Sequence, residues 1–208
     1  MDSKSPITLH GSAEFVVQFF ECCLHSILFH RGIYPADDFK VTKKYGMNVI
    51  ITVNDELKEY IRKIFEQLEV WAKEGSICKL VVVIKEVETM EVVERWHFDI
   101  HIDEESGVPM IENIPPADAT RIQKSAEAEI RTVLRQIVSS VSYLPELTKD
   151  CTFNVLVYAN EDVEVPSNWG DSEPNLIKGG GEHVRLKSFS TLVHTVDTFV
   201  AYRLDEDE

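Results

Sequence analysis

An alternation of apolar and polar residues near the end of the chain limits the folds that are open to it. Residues 182–204 read EHVRLKSFSTLVHTVDTFVAYRL, and a period of two is that of a strand with one buried face. The stretch is too long for one ordinary strand, so it predicts a bend near Ser188–Thr191 and a terminal hairpin. The bend contains no Gly, Pro or Asn, so the pairing register of the hairpin is weakly specified.

A long acidic connector, residues 160–181 (NEDVEVPSNWGDSEPNLIKGGG), precedes this hairpin. It holds two of the eight prolines and four of the nine glycines. Its glycine run lacks the flanking strand, helix and Lys-Ser/Thr pair of a phosphate-binding loop, so a flexible tether is the favoured interpretation. A strand pair of loose register on such a tether can reach more than one sheet edge, which predicts a moving part. The alternative is a hairpin that completes the sheet and stays there.

The charge balance excludes two classes of partner. The chain has 21 basic and 36 acidic residues among 208, a net charge of −15. Such a surface repels phosphate backbones and anionic lipids, so neither nucleic acid nor a membrane is expected as a partner. The first ten residues contain no apolar core of signal length, and no run approaches a membrane span. A soluble intracellular protein is therefore expected.

The first half of the chain predicts two helices. Residues 12–30 carry a broad apolar stripe, with Ser12 as the predicted N-cap. Asn54 is the predicted cap of a second helix that stops at Gly75. Its apolar face consists of Leu57, Ile61, Ile64, Leu68 and Trp71. An exposed crossing loop starts at Tyr34, and residues 46–53 predict a short strand or strand pair.

The clearest hairpin joins Ile77–Glu88 to Glu91–Ile102. The first strand contains LVVVI, an unbroken apolar run that favours a central strand covered on both faces. The second alternates, so we expect it on a sheet edge or next to one. Beyond the acidic loop 103–118, residues 151–159 (CTFNVLVYA) predict another strand.

A third helix is predicted to begin at Asp118 or Thr120 and to end before Pro145. Its predicted inner face is Ile122, Ala126, Ile130, Val133, Leu134, Ile137 and Val141. Helices combined with antiparallel hairpins predict an α+β fold in which three helices pack on one mainly antiparallel sheet.

Side chains that carry chemistry are few. The best metal-ligand candidates, His97, Asp99 and His101, project from one face of one strand, where ligands splay too widely for compact coordination, so solvated strand residues are the favoured interpretation. No nucleophile or paired-carboxylate arrangement is visible, and neither a cofactor nor an enzymatic activity is expected. Buried free thiols are favoured over a disulfide or zinc framework for the four cysteines. These are Cys22, Cys23, Cys78 and Cys151.

Seven collinear segments between Ile7 and Tyr202 carry a family resemblance: ITLHGSAEFV, ILFHRGIYP, KLVVVI, VERWHFDI, EIRTVLRQI, VPSNWGDSEPNLI and VRLKSFSTLVHTVDTFVAY. Together they resemble the HORMA-domain family, and within it the spindle-checkpoint branch. A translesion-polymerase subunit and meiotic axis proteins belong to the same family and remain the alternatives. The segments GSAE, RWHFDI and NWGDSEP fit the checkpoint branch better than the polymerase subunit.

The resemblance implies one HORMA domain over residues 1–208, with a core of about 7–159 and a C-terminal "safety belt" region of about 160–204. In an implied open state, the mobile strands cover the edge of strand 151–159. In an implied closed state they pair with strand 91–102, and an extended partner peptide takes the freed edge beneath the belt. Such a switch requires two packings within a few kcal/mol of each other.

The resemblance also assigns roles to individual residues. The peptide-binding edge comprises Thr152, Phe153, Asn154, Val155, Leu156, Val157 and Tyr158. The belt contributes Val165, Pro166, Trp169 and Ile177. The mobile strands contribute Val184, Leu186, Phe189, Val193, Val196, Phe199 and Tyr202. A dimer face is formed by Arg135, Gln136 and Tyr143, and a conformer-sensitive core by Leu9, Trp71 and Trp96. Taken without the family, Arg135 is a solvated helix residue and Tyr143 a core aromatic at a helix end.

The implied function is to delay anaphase until chromosomes attach. The implied partners are the mitotic coactivator of the anaphase-promoting complex, the coiled-coil checkpoint receptor at kinetochores and other members of the mitotic checkpoint complex. A second copy of the chain and an AAA+ remodeller with its HORMA adaptor complete the set. The implied locations are the nucleus, kinetochores in mitosis, the cytoplasm and the nuclear envelope.

Overall fold

A computed structural model of the chain describes residues 9–102, 116–191 and 193–204, without the side chains of residues 9, 10 and 116. The described helices are α1 (Leu9–His30), α2 (Asp55–Lys73) and α3 (Pro116–Ser140), with a short 3-10 turn at Ala36–Asp38. The described strands are β1 (Phe39–Lys44), β2 (Met47–Thr52), β3 (Ile77–Glu86), β4 (Val92–Ile102), β5 (Cys151–Ala159), β6 (Glu182–Arg185), β7 (Phe189–Ser190) and β8 (His194–Tyr202). The three helices pack against a mainly antiparallel sheet, which confirms the predicted fold class.

The main sheet has the strand order β5-β3-β4-β8-β6, with β7 paired to β8. Every neighbouring pair is antiparallel. β3 lies between β4 and β5, and its run Leu80–Ile84 is at most 1 % exposed, as the apolar run predicts. The prediction that β4 lies on an edge or next to one was wrong. β8 and β6 add two strands on that side, so β4 becomes the middle strand of the five.

Helix α1 is the most deeply buried of the three described helices. It begins at Leu9, so Ser12 is not its N-cap but a fully buried residue inside the helix. By length and composition alone, residues 11–30 could cross a membrane, against the expectation that no run approaches such a span. However, 78 % of that stretch is buried inside the fold. The apolar stripe therefore serves the core, through Phe19, Phe20 and their neighbours.

Helix α2 follows its sequence prediction closely. Asn54 caps it, because Asn54 Oδ1 accepts a hydrogen bond from the Leu57 amide at 3.0 Å, and all five predicted face residues are buried. The preceding hairpin was predicted only in part, because β1 (FKVTKK) has few apolar residues and was assigned to a loop. Tyr45 and Gly46, with φ angles of 51° and 68°, form its turn.

Helix α3 begins two residues before Asp118 and ends at Ser140. Most of its predicted inner face is buried: Ala126, Ile130, Val133, Leu134 and Ile137. Val141 was wrongly included, because it lies in the turn after the helix and is 43 % exposed. The cysteines are free, but burial holds only for Cys22 and Cys23, since Cys78 is exposed and Cys151 is partly exposed.

The sheet also carries a small apolar cluster on its outer face, the face away from the helices. Its members come from β3, β4, β5, β8 and the connector: Val81, Val83, Val92, Leu156, Ala201 and Ile177. Ile177 is 9 % exposed. The connector therefore crosses the outer face of the sheet and packs on it before β6 begins.

Candidate functional site

The outer edge of β5 is the first component of the site. β5 pairs with β3 from Cys151, opposite Glu86, to Ala159, opposite Ile77. Among the described strands none pairs with its other edge. A free edge exposes a row of backbone amides and carbonyls that an extended segment can satisfy. The implied peptide-binding residues Thr152–Tyr158 all lie on this strand.

The connector folds back over this edge and is fixed there by two tryptophans. The Trp71 indole Nε1 of α2 donates a hydrogen bond to the Glu164 carbonyl at 3.2 Å. The ring of Trp169 packs edge-on against Trp71, with centroids 4.9 Å apart and planes at 68°. The Asn160 amide donates to the Ser76 carbonyl at 2.9 Å. These contacts hold the connector beside β5 although it contains no helix or strand of its own.

A cavity of about 390 Å³ separates the connector from β5. The strand side is lined by Val155, Leu156, Val157, Tyr158 and Ala159 together with Trp71. The connector side is lined by Val163, Val165, Trp169, Gly170, Asp171, Ser172 and Glu173. Apolar walls with a few polar groups at one end are typical of sites that bury a ligand. Of the implied belt residues, Val165 and Trp169 line this cavity, whereas Pro166 does not and Ile177 packs on the outer face of the sheet.

The end of the connector is attached to the sheet at a close approach. Gly181 lies so near β8 that an added Cβ would be 2.6 Å from the Tyr202 carbonyl oxygen, so no larger residue fits without a backbone shift. Gly179 and Gly180 have φ angles of 79° and 88°. The glycine run that the sequence predicts as a tether therefore also makes the turn into β6 possible.

The tail joins the sheet at β4, through β8. In the β4–β8 ladder Glu94 is opposite Tyr202 and Ile102 is opposite His194, and β6 pairs with the other edge of β8. The implied mobile residues divide between the two sheet faces. Five of them pack into the main core or around it: Val184, Leu186, Phe189, Val196 and Tyr202. Val200, which was not predicted, belongs to the same core, and Val193 is also buried. Phe199 lies on the outer face, where its ring stacks on His97 at 4.1 Å.

One end of β8 is tied to α1 by a buried polar cluster. The Ser12 hydroxyl lies 2.6 Å from Thr191 Oγ1 and 2.6 Å from His194 Nδ1. Thr191 Oγ1 also accepts a hydrogen bond from the His194 amide at 2.8 Å. All three residues are at most 5 % exposed. The sequence gives no local signal for this cluster, because Ser12 and His194 are 182 positions apart.

The other end of the tail is tied down by a cluster of ion pairs. Arg203 donates to Glu86 at 2.5 Å and to Glu91 at 3.1 Å. Lys149 also donates to Glu86, at 3.0 Å, and Lys178 of the connector lies 3.4 Å from Glu91. The hydrogen bond from Lys149, followed by those from Arg203 and Thr89, lowers the pKa of Glu86 to about 2 although its burial opposes this. The cluster links the β3–β4 turn, the start of β5, the connector and the tail.

The implied conformer-sensitive residues lie in different places. Trp96 is fully buried in β4, and its indole Nε1 donates to Glu94 at 3.0 Å. Glu94 also pairs with the buried Arg31. Burial raises the pKa of Glu94, and the positive charge of Arg31 opposes that shift. Trp71 belongs to the cavity, and the side chain of Leu9 lies outside the described residues.

The implied dimer face is a surface of α3 and the turn that follows it. Arg135 is exposed, and Gln136 Oε1 accepts a hydrogen bond from the Lys187 amide at 2.7 Å. Tyr143 is 43 % exposed, so it is not the core aromatic that its position alone suggests. Val138 and Val141 are also more than 40 % exposed, and they extend the apolar part of this surface.

The three metal-ligand candidates do not converge. His97 is buried against Phe199, Asp99 pairs with Lys79 at 3.1 Å, and His101 lies 3.6 Å from Asp197. No group of three potential ligands occurs among the described residues. The expectation that all three are solvated was wrong for His97, which is 7 % exposed, because the ring of Phe199 on β8 stacks on it.

Comparison with known proteins defines the family. The HORMA domain model matches residues 12–194. The chain belongs to the HORMA family. It is 45 % identical to the mitotic spindle checkpoint component mad2 of Schizosaccharomyces pombe, over 97 % of each chain. It is 42 % identical to the human mitotic spindle assembly checkpoint protein MAD2A, over 98 % of this chain and 96 % of that one.

A chain in the crystal structure of a mitotic checkpoint complex has the same HORMA fold. Its TM-score is 0.82 at 45 % identity, and the alignment covers 93 % of this chain and 99 % of that one. The similarity supports a function in the spindle checkpoint and confirms the family that the seven sequence segments predict. The HORMA members of this branch are adaptors rather than enzymes, and so is this chain.

Proposed function

We propose that the chain is a spindle-assembly checkpoint adaptor that captures an extended segment of a partner protein along the outer edge of β5. The observation that carries the proposal is the free edge of β5 facing the connector across a cavity of about 390 Å³. A captured segment would form backbone hydrogen bonds with β5, and its alternate side chains would contact Trp71 on one side and the connector on the other. The connector thus acts as the belt.

The belt would retain its ligand because both of its ends are fixed. At the start, Trp71 holds Glu164 and Trp169. At the end, Ile177 packs on the sheet and Lys178 pairs with Glu91. An occupant can leave only if the belt detaches, so affinity and residence time depend on residues that never touch the ligand.

The pairing of β8 with β4 supports the assignment of this arrangement to the closed state that the family resemblance implies. In the open state, the tail strands would instead cover β5. We expect the free protein to separate into two slowly exchanging species on anion exchange, and a partner peptide to convert them into one. A single species with and without peptide would contradict the two-state proposal.

The proposed partners follow from the checkpoint relatives. The captured segments would belong to the mitotic coactivator of the anaphase-promoting complex and to the coiled-coil kinetochore receptor. Other checkpoint-complex members, and a second copy of the chain in the other state, would bind the closed form through the α3 surface of Arg135, Gln136 and Tyr143. An AAA+ remodeller and its HORMA adaptor would reopen it. The sites of action would be the nucleus and the kinetochores of mitotic cells.

The decisive experiment is a peptide array that tiles the coactivator and the kinetochore receptor, probed with the full chain and two truncations. A variant that ends at Thr198 loses the half of β8 that pairs with Glu94–His97. We expect it to bind the selected peptides at least about ten-fold more weakly. A variant that ends at Leu204 keeps β8 whole and is the matched control. Full binding by the shorter variant would refute capture through the tail.

A further inference from the structure

Three side chains with cationic chemistry lie buried on the outer face of the sheet. Lys85 of β3 and Arg95 and His97 of β4 are 9 %, 8 % and 7 % exposed. The strand alternation places all three on the face away from the helices, beside the apolar cluster that includes Ile177. A surface position on a protein with a net charge of −15 would be expected to supply acidic partners for them.

Such partners are absent for two of the side chains. Neither Lys85 nor Arg95 forms a side-chain hydrogen bond or an ion pair within the part of the chain that the structure describes. Arg95 Nε and both ring nitrogens of His97 are buried without a hydrogen-bond partner. The other buried arginine, Arg31, pairs with Glu94. A buried cation without a counter-charge is costly, so Arg95 is an exception that requires an explanation.

Two acidic side chains of the same face are already paired with other cations. Asp99 contacts Lys79 at 3.1 Å, and Asp197 contacts Arg185 at 3.0 Å. The residues immediately around Arg95 are instead apolar or basic. Val83 and Ala201 flank it in the neighbouring strands, and His183 follows Ala201 across β8.

The lowered pKa of His97 agrees with a cationic neighbourhood. Burial, followed by the charges of Arg95, Lys79 and His183, lowers the pKa of His97 to about 3. The ring is therefore neutral at physiological pH, and one of its two nitrogens carries a hydrogen that can be donated. The positive charge of this cluster comes from Lys85 and Arg95, and His97 adds a neutral donor.

We propose that Lys85, Arg95 and His97 form a binding site for an anionic group, a phosphate or a carboxylate, on the outer face of the sheet beside Ile177. A guanidinium donates two parallel hydrogen bonds to either anion, and an ammonium adds a point charge. The low polarity of the surrounding valines strengthens both interactions. The site lies next to the position where the belt packs, so a bound anion stabilises the belt end without occupying the β5 edge.

The test uses inorganic phosphate and the full chain. Thermal unfolding is followed over a low-millimolar phosphate titration at constant ionic strength, with chloride as the replaced anion. Binding to the folded state raises the unfolding midpoint with ligand concentration. We expect Arg95→Gln to weaken the apparent phosphate affinity by about 10- to 100-fold, the value of a lost charged hydrogen bond. Lys85→Gln should weaken it less, and the exposed Lys124→Gln on α3 should leave it unchanged.

Two further arms identify the source of the anion. Acetate replaces phosphate in one arm, and a carboxylate site responds to both. In the second arm the chain ends at Leu204, which removes the acidic residues 205–208. If those residues supply the natural anion, the shortened chain binds phosphate more tightly than the full chain; if a separate molecule supplies it, the two chains bind equally.

The proposal is overturned if wild type, Arg95→Gln and Lys85→Gln respond equally to phosphate. Should Arg95→Gln fail to fold, Lys85→Gln and Arg95→Lys give the same comparison, because the lysine keeps the charge and loses the two-pronged geometry. The result is independent of peptide capture. A failed phosphate response leaves the array experiment intact, and a failed array leaves the phosphate response to be measured.

Discussion

At one side of the sheet β4 is joined by the tail of the chain, whereas at the other side β5 has no strand beside it among those described. The two edges present the same backbone groups, so the difference lies in what stands opposite them. β4 receives nine residues of β8 and then β6. β5 faces a cavity and a belt that donates no ladder of hydrogen bonds. An edge of this kind needs a partner, and among the described residues only the β4 edge has one.

The contacts that attach the tail to the sheet indicate how the tail strands could leave β4. Apolar residues such as Phe189, Val196 and Val200 bury the middle of the attachment. Polar contacts close its two ends, at Ser12 and at Arg203. Breaking a polar cluster costs less free energy than removing an aromatic ring from the core, because the polar groups can form hydrogen bonds with water instead. Detachment is therefore expected to begin at the ends.

The largest expected effect is that of Phe189→Ala. The ring is 1 % exposed and packs edge-on against Phe19 with centroids 4.6 Å apart. Its removal should lower the free energy of unfolding by about 3–5 kcal/mol, as for other buried phenylalanines. Denaturant unfolding measures the loss, and hydrogen exchange should show it first in β8. Phe199→Ala is the matched control on the partly exposed outer face; an equal loss for both variants would mean that the tail is not held mainly from the core side.

Ser12→Ala should have the second largest effect. The substitution removes the hydroxyl that contacts both Thr191 and His194 and so deletes two buried hydrogen bonds, at a cost of about 1–3 kcal/mol. Hydrogen exchange should become faster in β8 while the β3–β5 ladder stays protected. The exposed Ser125→Ala on α3 serves as control. If β5 exchanges faster together with β8, the two edges are not energetically separate and the comparison fails.

Local patterns predict the elements whose environment is local. Five apolar residues on one stripe define the buried face of α2. Its N-cap is also recognisable in the sequence, because Asn54 accepts a hydrogen bond from the amide of Leu57, only three residues later. The unbroken LVVVI run identifies a strand covered on both faces. The β1 strand is missed, because a Lys-rich edge strand of a separate two-stranded sheet carries almost no apolar pattern.

The site is predictable only where it coincides with such patterns. The edge strand β5 and the belt tryptophan are visible in the sequence, with the family resemblance supplying their roles. Partners that lie far apart in the chain are not visible. Ser12 was interpreted as a helix cap because no residue near it in the sequence indicates its contact with His194. The predicted position of β4 was wrong because an alternating pattern does not show which strand the tail pairs with.

Arg203→Gln tests the other end of the tail and should have a smaller effect. It removes two ion pairs from a partly exposed arginine, so we expect a loss of about 0.5–1.5 kcal/mol at neutral pH. The pKa of Glu86 is lowered to about 2 from 4.5, so the stabilisation is complete above about pH 4.5 and disappears as the pH falls towards 2. The difference between wild type and variant in urea unfolding should shrink over that interval. A constant difference would show that Arg203 acts through packing rather than through charge.

The smallest effect on stability is expected for Arg135→Glu, on a surface that belongs to neither edge. Arg135 is exposed on α3, and exposed substitutions usually change the free energy of unfolding by less than about 0.5 kcal/mol. We expect self-association on gel filtration to be lost, because reversing the charge places a carboxylate on the proposed dimer face, while peptide capture at β5 is kept. Lys124→Glu, on the same helix, should leave both properties unchanged. A variant that still dimerises would remove Arg135 from the dimer face, and one that no longer captures peptide would show that the α3 surface and the β5 edge are coupled.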